Sequence, residues 1–150
     1  MFIAGVNNIS EFADSIKTKR GTTGFTKDTL YSGLGQIRIL PDKKTIVADE
    51  TRLIHIKFFV TAPTEHLYFL QTHLEIQTQL VAGIFNGKEL VKEINTGITA
   101  QQIVIRPGPF DISLNLNDVK PGLNYIIRLG LQCKDYPPTH NSEKIQLVGL

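Results

Sequence analysis

Apolar and polar residues alternate along Phe110–Leu131. Phe110, Ile112, Leu114 and Leu116 are separated by Asp111, Ser113 and Asn115, the period of two that puts one face of a strand in a core and the other in water. Asp118-Val119-Lys120-Pro121-Gly122 interrupts the pattern, and proline and glycine can continue neither strand, so the chain turns a corner there. Alternation then resumes with Tyr125, Ile127, Leu129 and Leu131 on one face. The same period appears in Leu53–Thr61, where Ile54, Ile56, Phe58 and Val60 oppose His55, Lys57 and Phe59. Gln36–Leu40 and Lys44–Ala48 read as strands around a compact turn at Pro41-Asp42-Lys43. Gln101–Arg106 and Lys144–Leu150 read as two more.

His66–Phe85 is longer than a usual strand. Leu70, Leu74, Ile76 and Leu80 alternate with Gln71, His73, Glu75, Gln77 and Gln79, whereas a helical projection would put His66, His73 and Gln77 in the apolar sector. A strand with a bulge or bend near Thr78 or Gly83 is the expectation; a helix is the competitor. Asn86-Gly87 follows, a pair that suits the two positive φ angles of a type I′ hairpin turn into Lys88–Ile94. The whole reads as an all-β, antiparallel β-sandwich of eight or nine strands, immunoglobulin-like or jelly-roll, over residues 36–150.

Residues 1–35 do not share the pattern. Phe2, Ile3, Phe12, Ile16 and Phe25 are scattered among Lys17, Lys19, Arg20 and a run of glycine and threonine. Ser10 is placed to cap a short helix through about Lys17, with Phe12, Ala13 and Ile16 on one side. Such a segment is too apolar for a free tail and too irregular to build its own core. It reads as an irregular N-terminal arm that lies on another surface, and Phe2, Ile3, Phe12, Lys17, Lys19, Arg20 and Phe25 are its candidate contacts.

Length and composition narrow the alternatives. The 150 residues suit one domain, and 41% hydrophobic with 20% charged residues suits a packed core. Net charge is only +2, and Glu11, Asp14 and Asp28 nearly cancel the basic cluster of the arm, so a nucleic-acid partner is not expected. No apolar run approaches the roughly 18 residues of a membrane span. Met1–Val6 lacks a positive leader, so the expectation is synthesis in the cytoplasm without a signal peptide. The single cysteine, Cys133, continues the inward alternation of Leu129 and Leu131 and reads as a buried thiol.

Val119-Lys120-Pro121-Gly122-Leu123-Asn124-Tyr125 resembles the corner before strand F of fibronectin type III and related immunoglobulin-like sandwiches. The resemblance implies that Pro121 and Gly122 make the turn and that the Tyr125 hydroxyl returns to the corner backbone, tying two sheets together. It covers about 20 residues, or about 35 with Lys144–Leu150 as strand G, and it implies architecture without activity. No tryptophan is present for the usual core position of that family.

Candidate chemistry is sparse. His55, His66, His73 and His140 do not form the close pairs of a metal site. No serine sits in a Gly-x-Ser-x-Gly elbow, and Gly33-Leu34-Gly35 lacks the third glycine of a phosphate cradle. Asp49-Glu50 reads as a solvated turn before it reads as a calcium site. No enzyme, cofactor or metal is therefore expected. The loop Lys134–Glu143, with Tyr136, His140 and Asn141, is the candidate recognition loop, with Ala62–Glu65 as a second. The leading expectation is a non-enzymatic assembly protein with protein partners. It would be a homo-oligomer or a subunit of a larger complex, such as a decoration, tail or baseplate piece of a virus or phage particle, and so found in the virion. The alternative is a module that binds a carbohydrate or a cell-surface receptor through sandwich loops.

Overall fold

A computed structural model describes residues 33–63, 77–134 and 136–150. Within them lie β1 (Arg38–Pro41), β2 (Thr45–Val47), β3 (Leu53–Thr61), β4 (Thr78–Asn86), β5 (Glu89–Asn95), α1 (Ala100–Ile103), β6 (Phe110–Asn115), β7 (Tyr125–Cys133) and β8 (Ile145–Val148). The fold is an all-β sandwich. One sheet has the order β1-β3-β6 and the other β2-β8-β7-β4-β5.

The core fills the space between the sheets, and the alternation in sequence says which side chains enter it. Along β3, Ile54, Ile56, Phe58 and Val60 are buried while the residues between them are exposed. Ile112 and Leu114 of β6 face Ile56 and Ile54 across the ladder, and the Phe58 and Phe110 rings stack at 5.4 Å. Tyr125, Ile127, Leu129, Leu131 and Cys133 line the opposite wall, and Leu80, Ala82 and Ile84 of β4 complete it. Leu34, which a boundary at residue 35 assigns to the arm, is 1% exposed and belongs to this core.

Four details differ from the sequence reading. Gln101–Arg106 is not a strand: residues 100–103 form α1, capped reciprocally by Thr99 and Gln102. The Gln102 N–H donates to the Thr99 hydroxyl at 3.2 Å and the Thr99 N–H to the Gln102 side-chain carbonyl at 2.8 Å, a local pairing that outweighs a two-residue alternation of Ile103 and Ile105. Secondly, the hairpin turn is one residue later than Asn86-Gly87. Asn86 stays in the ladder opposite Glu89, and only Gly87 has a positive φ, +63°. Glycine at the first central position, followed by Lys88, matches the φ pattern of type II′ rather than I′.

Thirdly, Pro41–Lys44 does not fold β2 back on β1. β1 pairs antiparallel with β3, whereas β2 crosses to the other sheet and pairs parallel with β8. Proline ends the first ladder because it has no N–H to donate. Finally, the irregularity in the β4–β5 ladder does lie near Gly83, between Ile84 and Phe85, but the additional residue, Val91, is on β5 rather than on β4. The expected strand over 66–76, with His66 and His73, lies outside the described residues. So do Thr64 and Glu65 of the second loop and the arm contacts Phe2, Ile3, Phe12, Lys17, Lys19, Arg20 and Phe25. Among the described residues no helix is long and apolar enough to cross a membrane.

Candidate functional site

The corner residues take up one end of the sandwich. Pro121 and Gly122 are exposed, with Gly122 at φ +87°, and the Tyr125 hydroxyl donates to the Lys120 carbonyl at 2.5 Å. Tyr125 itself is 3% exposed. The bond closes the loop between the sheets, and Lys92 closes it from outside by donating to Asp118 and, at 3.3 Å, to the Asn115 carbonyl. That hydrogen bond from the lysine holds the Asp118 carboxyl below the usual carboxylate range. Asp49 is likewise held low, first by the Thr51 hydroxyl and then by the Thr51 N–H at 3.0 Å. This carboxylate is engaged with its own turn. Among the described residues no group of three His, Cys, Asp or Glu side chains is placed to hold a metal ion. His55 is exposed on the outer face of β3 and bonds Ser113 at 2.9 Å.

The candidate recognition loop divides into an inner and an outer part. Asn141 points inward, 2% exposed, and is a structural residue. Its amide donates to the Leu34 and Ile37 carbonyls at 2.7 Å each, and its side-chain oxygen accepts from the Leu131 N–H at 2.9 Å and from the Thr139 hydroxyl. The Tyr136 ring packs against the core, and its carbonyl accepts from Gln132 at 2.9 Å. His140 alone of the three is exposed, with its Nδ1 3.2 Å from the Arg128 guanidinium. Arginine can only donate, so this Nδ1 carries the lone pair and accepts.

Residues 137–140 form one wall of a groove on the outer face of the five-stranded sheet. Pro137 and Pro138 cannot donate to a ladder, and the chain passes over the sheet until the Thr139 N–H returns to the Leu131 carbonyl at 2.8 Å. It crosses directly above Gly130, where any Cβ would collide with the Thr139 carbonyl oxygen. On the neighbouring strand Gly83 lies under the Phe85 ring, 2.9 Å from where its Cβ would be, and under Leu90 at 3.3 Å. Beside them lies a depression of about 200 Å³, walled by Phe85 and Leu90 on one side and Pro137–His140 on the other. Arg128 and Glu93 line it as well, and both stand in register with Gly83, one on each flanking strand.

The sequence reading names His140 in this wall, and Gly83 only as a place for a bend in its strand. A glycine in a strand interior signals close approach of another group, yet Gly83 and Gly130 become neighbours only through the Val81↔Gly130 and Gly83↔Arg128 register. The site is an apolar depression between opposite charges. No protein-family model matches the chain, and no curated protein matches it either.

Proposed function

We propose that this chain is a non-enzymatic assembly module, a β-sandwich that associates with itself or mounts on a larger complex such as a virus or phage particle. The observation that supports it best is the presence of exposed large apolar residues on both outer faces. Leu40 and Phe59 stand opposite each other across the β1–β3 ladder, 46% and 40% exposed. Leu90 and Val91 stand on the far side of the molecule, on β5, 48% and 42% exposed. Single exposed apolar residues are ordinary, but a cross-strand apolar pair such as Leu40 and Phe59 on a face that water should wet suits a surface that a partner covers.

The strand order supports kinship with immunoglobulin-like sandwiches. With β1, β3 and β6 read as strands A, B and E, and β4, β7 and β8 as C, F and G, the orders A-B-E and G-F-C parallel that family's, with β2 added beside G, β5 beside C and no strand D among the described residues. Such a fold hosts many functions and assigns none. Carbohydrate or receptor recognition through the Lys134–Glu143 loop has less support, since Tyr136 packs on the core and Asn141 is engaged inside.

Light scattering on the full chain tests the reading. The expected result is a mass above the 16.8 kDa of one chain, rising with concentration, and reduced by Leu40→Lys with Phe59→Lys. A single 16.8 kDa species at every concentration overturns self-assembly. Glycan-array binding that Tyr136→Ala abolishes would favour the alternative.

A further inference from the structure

The outer face of the five-stranded sheet is arranged symmetrically about β4. Phe85 on that strand stands in register with Leu90 of β5 on one side and Ile126 of β7 on the other, so an apolar row crosses three strands. Two residues along, Gly83 stands in register with Glu93 on the β5 side and Arg128 on the β7 side. Leu90 and Glu93 are exposed, and Phe85, Ile126 and Arg128 are partly so. The relief of the face follows the same division. Residues 137–140 rise over Gly130 on the β7 half, and the depression beside them extends to Leu90 and Glu93 on the β5 half.

Such a face is complementary to itself. A two-fold axis along β4, between two copies stacked face to face, exchanges the β5 half of one with the β7 half of the other. Stacked sheets lie about 10 Å apart, within reach of long side chains from both. The exchange sets Glu93 against Arg128 on each flank, Leu90 against Ile126 on each flank, and Phe85 against Phe85 at the axis. It also sets the 137–140 ridge of each copy over the β5 half of the other's depression. A foreign partner would need this order of charge, apolar row and relief reversed on its own surface, whereas a second copy already carries it. His140 adds to the charge pair. Its Nδ1 accepts from Arg128 at 3.2 Å, so in the neutral ring the proton is on Nε2, a further donor beside the guanidinium for an incoming carboxylate.

We propose that two copies of this chain pair through this face about a two-fold axis along β4, with Glu93 of each on Arg128 of the other. The contact is isologous and closes at two chains. The apolar row gives it area, and the two charge pairs fix its orientation. The inference rests on the assembly reading and names the face and the symmetry.

Charge reversal tests it, read on the full chain by light scattering with circular dichroism as a check on folding. Glu93→Arg alone sets cation against cation and Arg128→Glu alone sets acid against acid, so each is expected to lose the two-chain species. Mixing the two variants in equal amounts is expected to restore it, because both flanks of the mixed pair then carry opposite charges. Neither an unfolded variant nor a contact within one chain could be rescued in this way. Leu90→Lys, at an exposed position, is expected to lose the species with the charges untouched. Reversals that keep the mass of the unaltered chain overturn this face and leave the assembly reading in place. So does a mixture of folded variants that stays at one chain. If a reversal variant is unfolded, Leu90→Lys decides, and association equal to that of the unaltered chain overturns the face. An unaltered chain that is monomeric at every concentration overturns the assembly reading, and this inference with it.

Discussion

Asn141 uses both amide hydrogens and both lone pairs of its side-chain oxygen inside the protein, and so holds the 34–37 segment against β7. Asn141→Asp keeps the shape but turns two donors into acceptors facing the Leu34 and Ile37 carbonyls. The expected cost is about 3 kcal/mol or more, because buried groups lose their partners and a charge is added among them. The denaturant midpoint checks this, and an unchanged midpoint would place Asn141 at the surface. The two floor glycines should behave differently from each other. Gly130→Ala drives a Cβ into backbone at Thr139 and is expected to cost about 3 kcal/mol. Gly83→Ala meets only the ends of the Phe85 and Leu90 side chains, which can turn aside, and is expected to cost about 1 kcal/mol. Thermal melts of the pair decide whether the loop really crosses at Gly130. Their place inside strand patterns signals close approach of another group, but the residue string does not say of what, since that comes from what passes above them.

At the scale of elements, the strands with clean alternation were legible. β3 alternates without exception, and Cys133 falls on the buried face that its spacing assigns. α1 was misread as a strand, although the capping-box spacing Thr99-x-x-Gln102 with Ala100 opening the helix carried a signal for it. The alternation of Ile103 and Ile105 competed with it over too few residues to decide. The sheet change between β1 and β2 was not legible, because period-two patterning says which face is buried and not which sheet a strand joins. One tie between elements is open to titration. Lys92 on β5 donates to Asp118 in the turn after β6 and lowers its carboxyl below the usual range. A depressed folded value means stability that is present above the unfolded value of about 3.9 and is lost as pH falls through the lower folded one. Melting temperature is expected to fall on acidification through that window, and less steeply in Asp118→Asn. Equal slopes for the two proteins would show that the pair contributes nothing to folding.

Across the whole molecule, two sheets enclose one core, and the chain is threaded so that its early and late parts meet. β2 runs parallel to β8 over Thr45–Val47 and Gln146–Val148, with backbone bonds at both ends, from the Gln146 N–H to the Lys44 carbonyl and from the Ala48 N–H to the Val148 carbonyl, each 2.8 Å. The opening segment was set apart by its composition, and its residues 1–32 lie outside the described ones; the groove was not legible, since it needs three strands in register and a loop laid over them. The parallel pair has a mechanical consequence. Traction applied between Gly33 and Leu150 drags β2 and β8 in opposite directions along their length, so their bonds strain together instead of unzipping singly. A tethered copy would therefore hold under tension that peels an ordinary hairpin apart, and pulling it from these two ends in an optical trap should need markedly more force than pulling across Asn86 and Glu89.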